Sequence, residues 1–292
     1  MNIPEEYRIS RADLGRNWSF SMHIDQENLR KVTTTCLDGV PNLQVNSPYK
    51  NVLLCAQPKS ASLYMERFLG LCLDFKNIQI GWNHSGGKIY YPRLLAAKFQ
   101  NANTISHCHA IPDASTVKML RTLNIKPVVL TRNLLDSLVS RRDMLIKDKF
   151  AGNMLASAAM HHFLHSDLEE QMHVVIDLFA PMMLNFRAGW YSEEIVKELN
   201  PTYLTFEEMI EDDVNMMIRA CKEIGVEISA EKVECIRYQI QVAGGINLNK
   251  GKSGRGREVL NSSHMDRLRI LAKRVGCLDE EFLGISMLHT PG

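Results

Sequence analysis

Five short apolar and β-branched runs constrain what this chain can fold into: "NVLLCAQ" (Asn51–Gln57), "IQIGW" (Ile78–Trp82), "NTISHCH" (Asn103–His109), "KPVVLTR" (Lys126–Arg132) and "PTYLTF" (Pro201–Phe206). Strands that are continuously apolar must be buried on both faces, and helix-patterned segments such as "PRLLAAKFQ" and "DASTVKMLRTLN" lie between most of them. Strand–helix alternation of this kind predicts an α/β fold, a three-layer domain with a parallel sheet and helices on both faces. The 292 residues suffice for one such domain over 1–292.

Outside the alternating region the pattern changes. Residues 1–45 have weak periodicity and are expected to wrap the surface as an N-terminal segment. From 153 to 199 the chain reads as a helical insert, with Pro181 and Gly189 as its expected interruptions. A second helical block over 212–242 leads into a glycine- and lysine-rich loop, "NLNKGKSGRGREVLN". The last helix, "SSHMDRLRILAKRVG", opens with serines suited to capping and stops at Gly276.

Composition excludes some partners. A net charge of +1, with 45% apolar and 23% charged residues, provides no global field for nucleic acid or a membrane surface. Any anion site must therefore be local. The seven cysteines form no CxxC pair, which favours a reducing compartment. The start of the chain is charged and lacks the apolar centre of a signal peptide, and no run of 18 apolar residues occurs. These features predict a cytoplasmic protein with no membrane span.

Three segments have the chemistry of a phosphate site. "QPKSASLYMERFL" joins a strand to a helix through small residues, so backbone N–H groups and the helix dipole meet at one point, with Lys59 at its mouth and Ser60 and Ser62 as hydroxyl donors. A bulky residue there would hold a phosphate away from the backbone. In "VVLTRNLLDSLVSRRDML", a guanidinium at the strand end, Arg132, and a hydroxyl two turns into the helix, Ser140, can converge on one anion; Arg132 can instead pair with Asp136. "NKGKSGRGRE" carries Lys250, Lys252, Arg255 and Arg257 on a backbone loosened by glycine, either as a solvated basic loop or as a ligand contact. The Walker loop is absent: its "GKS" ending occurs at Gly251–Ser253, but Ile246 stands where the first glycine belongs.

Taken together and in this order, the three segments resemble the signature of the sulfotransferases that use 3′-phosphoadenosine 5′-phosphosulfate (PAPS), over Pro58 to about Arg257. The resemblance implies a fold similar to the P-loop nucleotide-kinase-like sulfotransferases, with PAPS as donor and adenosine 3′,5′-bisphosphate as product. It implies Lys59 as the catalytic lysine and Ser60, Ala61, Ser62, Leu63 and Tyr64 around the 5′-phosphate. Ala61 replaces the usual glycine, Leu63 a threonine, and Tyr64 the tryptophan that stacks near adenine. Arg132 and Ser140 match the 3′-phosphate pair. Lys250 and Gly251 match the late loop; Asn249 stands where arginine is commoner, a loss that Arg255 can offset. Phe206 falls where many relatives carry a tyrosine near adenine.

Transfer to a hydroxyl needs a base, and histidine suits that near neutral pH. His107 and His109 end the third strand on one face, where ligands of open α/β sheets bind. "SH" resembles the family's Thr-His at His107, whereas "HAIP" favours His109. The insert histidines His161, His162, His165 and His173 have no third ligand placed beside them, so no metal is expected. The insert's apolar side chains, Phe163, Met182, Met183, Trp190 and Tyr191, would form a core and a wall for a small-molecule or glycan hydroxyl acceptor. Two other readings stay open: a nucleotide kinase, and a non-catalytic nucleotide-binding protein of the same fold.

Overall fold

The computed structural model describes residues 48–78, 102–147, 157–243 and 252–276. Its centre is a five-stranded sheet in the order β2-β3-β1-β4-β5. The strands are β1 (Asn51–Ala56), β2 (Lys76–Asn77), β3 (Thr104–Cys108), β4 (Lys126–Thr131) and β5 (Thr202–Thr205). Every pairing is parallel. Four expected strands are present, β1 and β4 one residue shorter at the C-terminal end and β3 and β5 one residue shorter at each end. In place of the run at Ile78–Trp82 the sheet takes up Lys76–Asn77, and 79–82 lie outside the described residues, as do 1–45 and "PRLLAAKFQ".

Alternation along β1 divides the interior. Val52, Leu54 and Ala56 face a layer made by α1 (Ser62–Leu73), α7 (Phe206–Ile224) and α8 (Ala230–Ala243). Leu53 and Cys55 face α2 (Ala114–Thr122), the end of α5 (Leu168–Trp190) and α6 (Glu193–Leu199). A third cluster joins α3 (Leu134–Lys147), α4 (Ser157–His165), α5 and α10 (Ser262–Arg274), and the short α9 (Arg255–Val259) precedes α10. The helix after β1 thus lies on one face, while the helix after β4 packs with α5 on the other. Crossovers leave in opposite directions between β1 and β4, and a crevice at such a switch point is where open α/β sheets bind ligands.

The helical region departs from expectation at both marked residues. Pro181 and Gly189 lie inside α5, and the breaks fall at 166–167 and 191–192. Asp167 starts α5 by accepting from the Glu170 N–H at 2.9 Å. An interior proline costs about 3 kcal/mol, but Phe179, Ala180, Met183 and Leu184 beside it are buried, and each large apolar side chain contributes about 1.5–3 kcal/mol. Gly189 is needed for contact: a Cβ there would stand 2.9 Å from the Pro112 ring. The 212–242 block is two helices, α7 beginning already at Phe206 and carrying a non-helical residue at Asp212. In α10 the cap is Asn261, in a capping box with His264, rather than a serine; the helix stops ahead of Gly276, whose φ is +74°.

Candidate active site

The loop after β1 is a tight turn. The Ser60 N–H donates to the Gln57 carbonyl at 3.2 Å, with Pro58 second and Lys59 third at φ 71°, the pattern of a type II turn. Ala61, the N-cap of α1, is also left-handed at φ 65° and ψ 32°. Two non-glycine residues in this region cost about 1–2 kcal/mol each, and strain of this kind gathers where a loop must present its backbone. No side chain caps α1 and its first turn has no acidic residue, so the amides of Ser62, Leu63 and Tyr64 keep their donor capacity. Free amides at a helix N-terminus are the arrangement that can hold an anion.

Side chains around the turn divide. Ser60 is buried and its hydroxyl donates to the Gln57 carbonyl at 2.6 Å, so it closes the turn instead of facing outward. Ser62 is at the edge of burial, and Leu63 is 50% exposed. Tyr64, expected near adenine, packs in the core with its ring 5.6 Å from that of Phe68 and its hydroxyl 3.5 Å from Asp213. Burial, followed by the Asp213 charge, pushes its phenol above the usual range.

Arg132 ties the first loop to the late one. One fork nitrogen donates to the Lys59 carbonyl at 3.1 Å and the other to the Lys252 carbonyl at 2.9 Å. Its guanidinium carbon lies 3.9 Å from the centre of the Phe206 ring. Phe206, expected to face adenine, is buried beneath Arg132 and supports it. The pairing of Arg132 with Asp136 is replaced by another: buried Asp136 accepts from the Gly254 N–H at 2.8 Å and the Gly256 N–H at 2.7 Å, with Ser253 Oγ at 3.3 Å. Gly256 fits so closely on α3 that a Cβ would stand 2.3 Å from that of Leu135. Ser140 is buried one turn beyond and makes no hydrogen bond to Arg132. Arg255 pairs with Asp143. Lys250 and Gly251 lie outside the described residues.

The two histidines separate sharply. His107 is 3% exposed in the layer beneath α1, with neither ring nitrogen hydrogen-bonded. Its Nδ1 is 3.8 Å from Glu66 Oε2, and burial, then nearby His109, holds its basicity well below the usual range. His109 is half-buried beyond the strand end. Its Nδ1 lies 2.7 Å from the Ala56 carbonyl, which can only accept, so Nδ1 carries a proton and, in the neutral ring, the lone pair is on Nε2. The rings meet edge-on, centres 4.9 Å apart.

Sequence reasoning missed a buried set behind this site. Gln57 Nε2 donates to the Arg132 carbonyl at 2.9 Å and to Ser137 Oγ at 2.8 Å. Arg187, from α5, donates to Gln57 Oε1 at 2.8 Å and to the same carbonyl. A polar residue closing an apolar strand, and an arginine amid "MMLNFRAGW", were the available signs. Glu66 was missed too; it falls on the buried face of α1, between Ser62 and Leu69. Among the described residues no cluster of three metal-ligating side chains occurs, and no helix is long and apolar enough to cross a membrane.

A parallel sheet with helices on both faces, an uncapped helix after its central strand and an arginine just beyond the neighbouring strand define an α/β protein with a candidate anion site. More particularly, the fold is that of the sulfotransferases. A mouse sulfotransferase, SULT7A1, solved in complex with PAP, superposes with a TM-score of 0.59 over 87% of this chain and 93% of its own, at 12% identity. Retinol dehydratase with androsterone and inactive cofactor PAP matches at 0.47 and 14% identity, covering 83% of this chain and 85% of its own. A sulfotransferase from Alicyclobacillus acidocaldarius matches at 0.45 and 12% identity, covering 82% and 97%. No family model and no curated protein matches the sequence.

Proposed function

We propose that this chain is a PAPS-dependent sulfotransferase acting on a hydroxyl of a small molecule or glycan. The observation that carries the reading is Arg132, whose fork spans the loop after β1 and the late loop. That arrangement gathers one full positive charge and two loop backbones at the switch point of the sheet. The residues present fit a bisphosphorylated nucleotide. The uncapped first turn of α1 suits a 5′-phosphate, while Arg132, Ser140 and the late loop, including Lys250 and Gly251, suit a 3′-phosphate. PAP in the mouse neighbour supports the same choice.

When bound, PAPS supplies an activated sulfuryl group. In the proposed chemistry Lys59 neutralises charge gathering on the leaving phosphate oxygen, which is transition-state stabilisation. His109 accepts the acceptor's proton at Nε2, its Nδ1–H being held by the Ala56 carbonyl. His107 is a poorer base because burial opposes its charged form.

The test compares thermal shifts with adenosine 3′,5′-bisphosphate, adenosine 5′-phosphate, ATP and GTP, followed by transfer of labelled sulfate from PAPS. The bisphosphate should bind about tenfold to a hundredfold more tightly than the monophosphate, the worth of one charged hydrogen-bond set. Equal stabilisation by the two overturns the assignment, preference for ATP favours a kinase, and tight bisphosphate binding without transfer to any hydroxyl favours a non-catalytic binder.

A further inference from the structure

We propose that Arg187 is a positioning residue for recognition of the 3′-phosphate, acting through Gln57 and the main chain of Arg132; this rests on the nucleotide reading above. The peptide between Arg132 and Asn133 is where the chain leaves β4 and turns into α3. It is gripped on both edges. Its carbonyl accepts from Gln57 Nε2 at 2.9 Å and from the Arg187 guanidinium. Its N–H donates to Glu207 Oε1, at the start of α7, at 3.1 Å. Arg187 also donates from Nε to Gln57 Oε1 at 2.8 Å, which fixes the amide so that its NH₂ faces Arg132 and Ser137.

Two features separate this from ordinary core packing. Arg187 is 7% exposed, and a guanidinium is an expensive side chain to bury where a leucine or methionine would fill the space. The carbonyl it holds belongs to the residue whose side chain bridges both loops. A rotation of that peptide would swing the Arg132 fork away from the Lys59 and Lys252 carbonyls, and a bidentate contact tolerates little such error. Helix α5, which contributes no residue to either loop, thereby sets the aim of the arginine between them.

Calorimetry on the full chain reads the ratio of affinities for adenosine 3′,5′-bisphosphate and adenosine 5′-phosphate in wild type, Arg187→Met, Arg132→Met and the double variant. Arg187→Met should weaken the bisphosphate about tenfold, as expected for a misaligned charged contact, and leave the monophosphate nearly unchanged. In the Arg132→Met background it should have no further effect on the ratio, because the residue it aims is gone. If Arg187→Met does not fold, Arg187→Lys, which keeps the charge but cannot reach both acceptors, should show a smaller loss of the same selectivity. An unchanged ratio, equal losses on both nucleotides, or the same loss with and without Arg132 overturns the inference. A wild type that does not distinguish the two nucleotides overturns the nucleotide reading itself.

Discussion

Glu66→Gln should stabilise the protein in alkaline solution and do almost nothing for it in acid. Glu66 is 4% exposed between α1 and β3, where its carboxyl takes hydrogen bonds from the Asn77 side chain and the His107 backbone. Burial outweighs these bonds and pushes its pKa from 4.5 up to about 7. A carboxyl with a raised folded pKa favours folding while protonated. That contribution is complete below 4.5, the unfolded value, and is lost as pH rises through about 7. With those two values the loss is about 1 kcal/mol at pH 5 and about 3 kcal/mol at pH 8. The glutamine variant does not titrate and keeps one side-chain oxygen as an acceptor. The stability of variant minus wild type should therefore rise by about 2–3 kcal/mol from pH 5 to pH 8, measured as urea midpoints multiplied by a common slope. Taking the difference removes titrations that both proteins share, including that of His107, which burial keeps neutral in the fold while the unfolded chain of either protein protonates it near 6.5. A difference that is flat between pH 5 and pH 8 would refute the reasoning, since it would mean that Glu66 stays ionised in the fold or has solvent beside it.

Gly256→Ala places a Cβ 2.3 Å from Leu135 Cβ and 2.7 Å from its carbonyl carbon; overpacking of this kind costs about 1–3 kcal/mol, and calorimetry should show bisphosphate affinity falling because the late loop lifts from Asp136. Lys59→Ala should lower turnover about 10²–10³ in a labelled-sulfate assay while weakening binding of the bisphosphate less; full turnover would make Lys59 a surface residue. His109→Ala should lower transfer by about 10²–10⁴ with the bisphosphate still bound. His107→Ala should instead register in denaturant titration, costing about 2–4 kcal/mol through the cavity it leaves, with transfer per folded molecule much less affected; the opposite pattern would reverse the assignment of the base.

The strands were legible because β1 and β4 are buried on both faces and so carry uninterrupted apolar runs, a pattern that burial alone imposes. The loop after β1 was legible because a turn ending in an uncapped helix excludes bulk. What failed did so for tertiary reasons. Pro181 reads as a break in any local scheme, but α5 passes through it because its apolar face is buried against α3 and α10. What the chain order of Phe206 and Tyr64 does not reveal is their packing, one roofed by Arg132 and the other set against Phe68. The same limit applies to the histidines. Alternation puts both on one face, but only the point at which β3 ends, Cys108, leaves His107 inside the sheet and His109 beyond it.

Arg132 shows why such a site can be stable before any ligand arrives. Burial lowers the affinity of its guanidinium for a proton, Asp136 and then Glu207 work against that, and nearby Arg255 adds to it. An arginine keeps its charge through shifts of this size, so the site holds a buried cation. Its direct partners, the Lys59 and Lys252 carbonyls, are neutral. A hydrogen bond between uncharged groups contributes about 0.5–1.5 kcal/mol, and one involving an ionised group about 1.5–3. These contacts already have one charged member, and exchanging a carbonyl for a phosphate oxygen supplies the second. The fork is therefore occupied well enough to be held in place and has more to gain from an anion. The same fork closes both loops, so an anion that draws it away must take over a bond from each. On the proposed nucleotide reading, binding at either loop would then be felt at the other, through one side chain whose backbone carbonyl and following N–H are held by Gln57, Arg187 and Glu207.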